Sequence, residues 1–277
     1  MTEAVPAGRP RGRLTPETAL KGVAGFWFIV AFVGQWLFVG YMAVVYGGTA
    51  MAGNIENWNR TSLKGYEAGD LVGNLVFGAH ILMAAVLTVG GTLQLIPQIR
   101  ARAIGVHRWN GRVFLAAASV TAIGGFYLVW VRGAVASPPV SFATTLNGLL
   151  ILAFAGLAWR NARKRNFSAH RRWAMRAFIV VNGVWFFRLG YMAWVLINRA
   201  PVGMTDQLDG PFDIFWGFGN FLIPLAVMEL YLRVRDRGGP ASRWAMSAGL
   251  LLLTLLMALG IVGATLMMWG PRIARVI

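Results

Sequence analysis

Seven apolar stretches dominate the chain, at 22–46, 71–96, 110–131, 142–159, 174–198, 213–232 and 245–269. A helix rises about 1.5 Å per residue, so each stretch can cross the ~30 Å of hydrocarbon in a bilayer. Of the 277 residues, 57% are hydrophobic and 13% charged, against roughly 45–50% and about 25% in an average soluble domain. A soluble core of this size cannot hide that surplus, so lipid is the expected solvent. The expected fold is all-α: a polytopic membrane bundle of about seven transmembrane helices, built from repeated helical hairpins. It divides into an N-terminal tail (1–21), the transmembrane domain (22–269) and a short C-terminal tail (270–277). The first stretch is about twice the ~7–15 apolar residues of a signal peptide. It is therefore read as a retained span, despite the small residues Ala50, Ala52 and Gly53 that follow it.

The charge distribution orients the bundle. The net charge is +16, and nearly all of it is arginine. Segments 1–21, 97–109, 160–173 and 233–244, with the helix starts beside them, hold 19 of the 26 basic residues. The alternate segments hold six basic residues, together with Glu56, Glu67, Asp70, Asp206 and Asp209. The positive-inside rule then places the N-terminus in the cytoplasm and the C-terminus outside. Because the basic groups lie in short clusters between apolar runs, the partner they suit is an anionic lipid leaflet; nucleic acid does not fit this pattern. There is no cysteine, which excludes disulfides and Cys-ligated zinc or iron–sulfur centres. Phosphate-loop, dinucleotide and HExxH metal signatures are also absent, so no metal site is expected.

One phrase occurs twice, each time in a basic stretch that opens an apolar span. His107-Arg108-Trp109 is followed by Arg112 and Phe114, and His170-Arg171-Arg172-Trp173 by Arg176 and Phe178. The Trp–Arg–Phe spacing is the same in both. Arg172-Trp173-Ala174-Met175 returns as Arg243-Trp244-Ala245-Met246, with Ala241 where His170 would align. Helix pairs 71–131, 142–198 and 213–269 therefore read as repeated hairpins, although Trp and Arg also gather at membrane interfaces without shared ancestry.

The chain has three histidines, and two are in this phrase. If their helices are neighbours, His107 and His170 lie at one depth and can axially ligate a single b-type haem. Arg108, Arg171 and Arg172 would then serve its propionates. The alternative is that both histidines are interfacial anchors. His80 and Arg188 lie deep in the second and fifth spans, each roughly 13–15 Å from the outer end by helix rise. An ionisable residue at that depth is a functional hypothesis by default. With Asn74, Asn182 and Asn220 they outline an outer-facing pocket for a polar headgroup, a quinone carbonyl or a small anion. A hydrogen-bonded structural knot is the alternative. Asp70 and Asp213, at the outer ends of the second and sixth spans, are the carboxylates expected nearest Arg188, and Glu229 is expected to meet a basic-side arginine such as Arg233.

Gln94-Leu95-Ile96-Pro97, Arg100 and His107-Arg108-Trp109-x-Gly111-Arg112, with the second phrase through Arg176 and with Arg188, resemble a bacterial family of predicted membrane proteins, domain of unknown function family 2306. The similarity covers roughly residues 70–235. It implies a multipass bacterial membrane protein and no particular activity. His107, Trp109 and Gly111 are also similar to a helix start in transmembrane b-type cytochromes of the ascorbate-reducible kind, where the corresponding histidine is a haem ligand. Those proteins use four histidines for two haems. The stretch from Ala143 to Asn147 offers none, so the likeness implies one haem here at most. Three functions follow as expectations. The first is membrane electron transfer through one haem, with a quinone or a redox partner. The second is a cofactor-free transporter-like, lipid-binding or accessory subunit. The third is an enzyme acting on a lipid at His80 and Arg188.

Overall fold

The computed structural model describes residues 14–276; the rest of the expected N-terminal tail and Ile277 lie outside them. Among the described residues the chain is helical, with no strand. The long helices are α1 (Pro16–Met51), α2 (Leu71–Leu95), α3 (Ile104–Trp130), α4 (Pro138–Arg163), α5 (Phe167–Val181), α6 (Gly183–Asn198), α7 (Pro211–Arg237) and α8 (Pro240–Ile273), with short helical turns at Ile55–Arg60 and Pro97–Arg102. Six of them are individually long and apolar enough to span a membrane. Counting the consecutive pair α5 and α6 as one bent span gives seven.

Helix starts follow ordinary capping chemistry. The side chains of Thr15, Asp70, Ser137 and Asn166 accept hydrogen bonds from Thr18, Gly73, Val140 and Ala169 backbone N–H groups. Pro16, Pro138, Pro211 and Pro240 occupy first helical positions, where no N–H is needed. Because Thr15 and Asn166 cap upstream of the apolar stretches, α1 and α5 begin several residues before the spans expected from hydropathy, and α3 also begins early, after Ala103. The repeated phrase is consequently helical. His107 and His170 are each the fourth residue of their helix, and their N–H groups bond back to Ala103 and Asn166.

The fifth expected span is broken. α5 and α6 meet at 50° across Asn182. Asn182 Nδ2 donates to the Phe178 carbonyl at 2.8 Å, a side-chain bond that competes with helix continuation. Gly183 follows, and a Cβ there would lie 2.8 Å from Asn147 Nδ2 and 3.0 Å from Asn220 Oδ1. Two further departures from regular helix occur at the opposite end of the bundle from the arginine-rich loops. α1 passes through a π-helical segment, Ala43–Gly48, and α8 through another, Ala264–Trp269.

The most extensive helix contacts are α2 with α3, α4 with α5, and α1 with α8. The first two expected hairpins are therefore closely packed pairs. In the third, α8 makes larger interfaces with α1 and α6 than with α7. Large apolar side chains such as Leu71, Leu75, Val120, Leu252 and Leu266 are exposed along the outer helix faces, the surface that lipid covers in a membrane. Inside are two main apolar clusters. One, toward the acidic loops, is aromatic and contains Phe38, Tyr41, Tyr46, Trp58, Phe77, Trp185 and Trp269. The other, toward the basic loops, contains Phe114, Phe178, Val180, Met228 and Leu232. Asn182 lies between Val180 of the second cluster and Trp185 of the first.

Candidate functional site

On the basic side the repeated phrase converges on α2. A Cβ at Gly91 would sit 3.0 Å from the rings of both Phe114 and Phe178, so the two copies meet at one glycine. His170 lies within electrostatic range of His107. His170 Nδ1 is 2.9 Å from the Ala158 carbonyl oxygen of α4. A carbonyl only accepts, so Nδ1 carries the proton and Nε2 is left as an acceptor. His107 Nδ1 is buried without a partner, while Gln94 Nε2 donates to the His107 carbonyl at 2.8 Å. Arg108 and Arg171 are exposed. Arg172 is already paired with Asp236, which Arg235 also engages. Arg176 takes Glu229 through two hydrogen bonds, at 2.6 and 2.9 Å, and lies over the Trp173 ring. Glu229 thus meets a basic-side arginine, as expected, but it is Arg176 across the helix interface and not Arg233 one turn along its own helix.

The expected pocket of His80, Arg188 and three asparagines separates into four places. His80 faces α3, where its ring packs beside Gly125 and the Thr121 backbone. Its Nδ1 and the Thr121 hydroxyl are both buried without partners. Arg188 faces α1 and α8. Its Nη1 donates to the Val184 carbonyl at 3.0 Å and its guanidinium lies 5.2 Å from the Phe38 ring centre. Asn74 accepts from Arg132 Nη2 at 2.6 Å and exchanges two hydrogen bonds with the Glu67 backbone. The Arg132 side chain is 1% exposed, with Asp70 at 3.5 Å and Glu67 at 3.9 Å. Asp213, fully buried, accepts from Tyr191 OH and from the Thr205 and Gly210 N–H groups. Neither expected carboxylate therefore reaches Arg188. The physical reason is that each aspartate caps a loop and helix start at the membrane edge.

Asn182 and Asn220, by contrast, both lie at the helix break, Asn182 in it and Asn220 beside the following Gly183, and they bring residues that sequence reasoning did not single out. Gln35 of α1, 1% exposed, donates from Nε2 to Asn182 Oδ1 at 2.9 Å. Asn147 of α4 and Asn220 of α7 flank Gly183. Asn220 Nδ2 bonds the Trp216 and Gly217 carbonyls. Pro224, inside α7, has no N–H to return to the Asn220 carbonyl four residues earlier. Gln35 Oε1 and Asn147 Oδ1 are buried acceptors with no donor. A polar layer thus crosses the bundle at the helix break, between two apolar clusters, with backbone irregularity on both α5–α6 and α7. The sequence has Asn-Gly at the break and Asn-x-x-x-Pro in α7, but Asn-Gly also occurs at 110–111 and 147–148 inside unbroken helices, so it did not mark the break.

A family model described as "Predicted membrane protein (DUF2306)" matches residues 77–232, more than half of the chain, and that stretch contains both copies of the phrase, the break and Pro224. No curated protein and no solved structure matches the chain. By the extent of that match, the chain belongs to the DUF2306 family of predicted membrane proteins.

Proposed function

We propose that this protein is transporter-like: it binds a small polar ligand in the layer around Asn182 and passes it across the bundle, with no chemical step of its own. The break in the fifth span carries the reading. Non-helical backbone at membrane depth is tolerated where protein buries it or where it lines a cavity, and broken spans form the ligand sites of many transporters. Here the break faces a proline-interrupted neighbour and two amide oxygens that lack donors. A ligand presenting N–H or O–H groups satisfies them. The protein sits in a bacterial inner membrane with the arginine-rich loops in the cytoplasm, as the basic-residue asymmetry directs.

The absence of cysteine makes the test direct. Asn147→Cys and Asn220→Cys are each exposed to a charged, membrane-impermeant thiol reagent. A ligand path makes both react faster than Ala118→Cys, a fully buried core control, and approach Val131→Cys, an exposed one. If both label no faster than Ala118→Cys, the layer is a sealed structural knot and the proposal fails.

A second reading attaches to the repeated phrase, favoured by the His170–Ala158 bond. Ligating imidazoles characteristically donate one ring nitrogen to a carbonyl or carboxylate and keep the other for the metal. In this reading His107 and His170 hold one haem b, with Arg108 and Arg171 free for its propionates and Arg172 shared with Asp236. Bound haem would supply one-electron chemistry with a quinone or a redox partner. A reduced-minus-oxidised absorption band lost in His107→Ala and in His170→Ala supports it. A colourless, folded protein expressed with haem supplied refutes it.

A further inference from the structure

The acidic-loop end of the bundle contains a group of hydrogen-bond donors with no acceptor to match. Both π-helical segments lie there: the one in α8 packs against α1, and the last turn of α8, Gly270–Ile273, packs against the π segment of α1. π segments are rare and concentrate at functional sites, because the extra residue re-aims side chains that a regular helix would place elsewhere. Between them lies a stack of nearly inaccessible rings. Trp269, the last π residue of α8, is 5.4 Å from Phe38 and 6.1 Å from Tyr41, centre to centre. Tyr46, inside the π segment of α1, meets Tyr41 edge-on at 6.1 Å.

Two guanidinium groups flank this stack. Arg272 Nη1 donates to Tyr41 OH at 3.3 Å, and Arg188 lies over Phe38. The rings they touch, Phe38 and Tyr41, lie 6.0 Å apart, centre to centre. Among the described residues, neither arginine forms an ion pair. Three carboxylates of the acidic-loop end are engaged elsewhere, Glu67 and Asp70 by Arg132 and Asp213 by Tyr191 and two backbone N–H groups, and Glu56 is exposed to solvent and forms no ion pair among the described residues. Trp185, one turn before Arg188, and Trp269 are 2% and 1% exposed, and the indole Nε1 of each is buried without an acceptor. Two like charges and two orphaned N–H groups around one aromatic stack are unfavourable in a membrane unless something negative joins them.

We infer that Arg188, Arg272 and the Tyr41 hydroxyl form a binding site for an anionic phosphate or carboxylate group, with the Phe38–Trp269 stack as its apolar floor. The chemistry is shared by an anionic lipid headgroup entering from the bilayer and by a free anion entering from the acidic-loop side. The site is separate from the polar layer at Asn182 and does not depend on it.

The experiment is thermal unfolding of the full chain in phosphatidylcholine-containing micelles, titrated in one arm with phosphatidylglycerol and in the other with inorganic phosphate. Stabilisation in the first arm alone identifies a lipid headgroup, and stabilisation in both a free anion. In either case the Arg188→Gln/Arg272→Gln double variant raises the half-saturating concentration about tenfold or more, as loss of charge-assisted hydrogen bonds predicts. Tyr41→Phe, which keeps the ring and both charges, gives a smaller rise and provides a readout if the double variant fails to fold. The inference is overturned if neither anion stabilises the wild type beyond phosphatidylcholine alone. It is equally overturned if the response is unchanged in Tyr41→Phe and in whichever arginine variants fold.

Discussion

The α6–α8 interface gives a sharp test of the packing that sets α6, and Arg188 on it, against α8. A Cβ on Gly260 of α8 would lie 2.5 Å from the Leu189 carbonyl oxygen of α6. Carbon–oxygen contacts between packed helices are ordinarily about 3.3 Å or longer, so Gly260→Ala is short by about 0.8 Å. The obstructing atom is backbone, and no rotamer change relieves it; the helices must separate. A gap of 0.5–1 Å forfeits roughly a quarter to a half of each contact across the interface, and overpacking of this kind costs about 1–3 kcal/mol. Alanine returns about 1 kcal/mol over glycine in a helix. With a rigid obstacle the upper end applies, leaving a net loss of about 2 kcal/mol. Gly249→Ala on the same helix is the matched control, because nothing lies within 4 Å of a Cβ there; only the propensity gain remains. Unfolding by denaturant in mixed micelles measures both. Gly260→Ala as stable as Gly249→Ala would refute the close α6–α8 approach.

Arg176→Gln strands Glu229 and should cost about 1.5–3 kcal/mol, whereas Arg112→Gln, at the equivalent place in the first phrase but exposed and without a carboxylate, should cost under about 0.5 kcal/mol; the same unfolding assay compares them. Gln35→Leu removes the hydrogen bond to Asn182 and should cost about 0.6–2 kcal/mol; a variant more stable than wild type would show that the donorless Oε1 outweighs the bond. Arg132→Gln frees Asn74 and the Glu67–Asp70 turn, so limited proteolysis should cut the 52–70 loop faster at unchanged helix content by circular dichroism. A reporter active only in the cytoplasm should be silent when fused after residue 277 and active when fused after Arg163; the reverse would invert the orientation read from the arginines.

Membrane class, helix number and the pairing of the first two hairpins were legible because hydropathy and charge asymmetry act locally along the chain. The break at Asn182 was not. A window of about 20 residues averages one polar residue into an apolar span, and the interruption depends on Gln35, Asn147 and Asn220, each on a different helix. Arg188 was legible as an anomaly by its depth, but its surroundings were not. They come from α1 and from Arg272, which reads in sequence as part of a short outer tail. The π segments have no sequence signature, so nothing pointed to Trp269 beyond interfacial preference. Asn74 illustrates the opposite error. Its position in a span suggested a pocket, yet its partner is Arg132 in the neighbouring α3–α4 loop, and together they fasten a loop.

Packing accounts for most of the repeated phrase. Phe114 and Phe178 share Gly91. Arg112 and Arg176 each lie over the tryptophan of their own copy, and the Trp173 ring packs tilted against Phe154, 5.5 Å centre to centre. These contacts are reason enough for two hairpins facing one helix to carry the same Trp-x-x-Arg-x-Phe spacing, with no chemistry involved. The histidines are the exception. His107 leaves a buried ring nitrogen unpartnered and His170 leaves an acceptor nitrogen unused, although each occupies the same fourth position of its helix. A purely structural role predicts that Asn, which keeps a hydrogen-bonding side chain of similar reach, substitutes at both positions without loss of stability or function. A ligand role predicts that His107→Asn and His170→Asn fold normally and fail together. The phrase therefore divides into a packing part that the fold explains and an imidazole pair that it does not, and the haem spectrum bears on the second part alone.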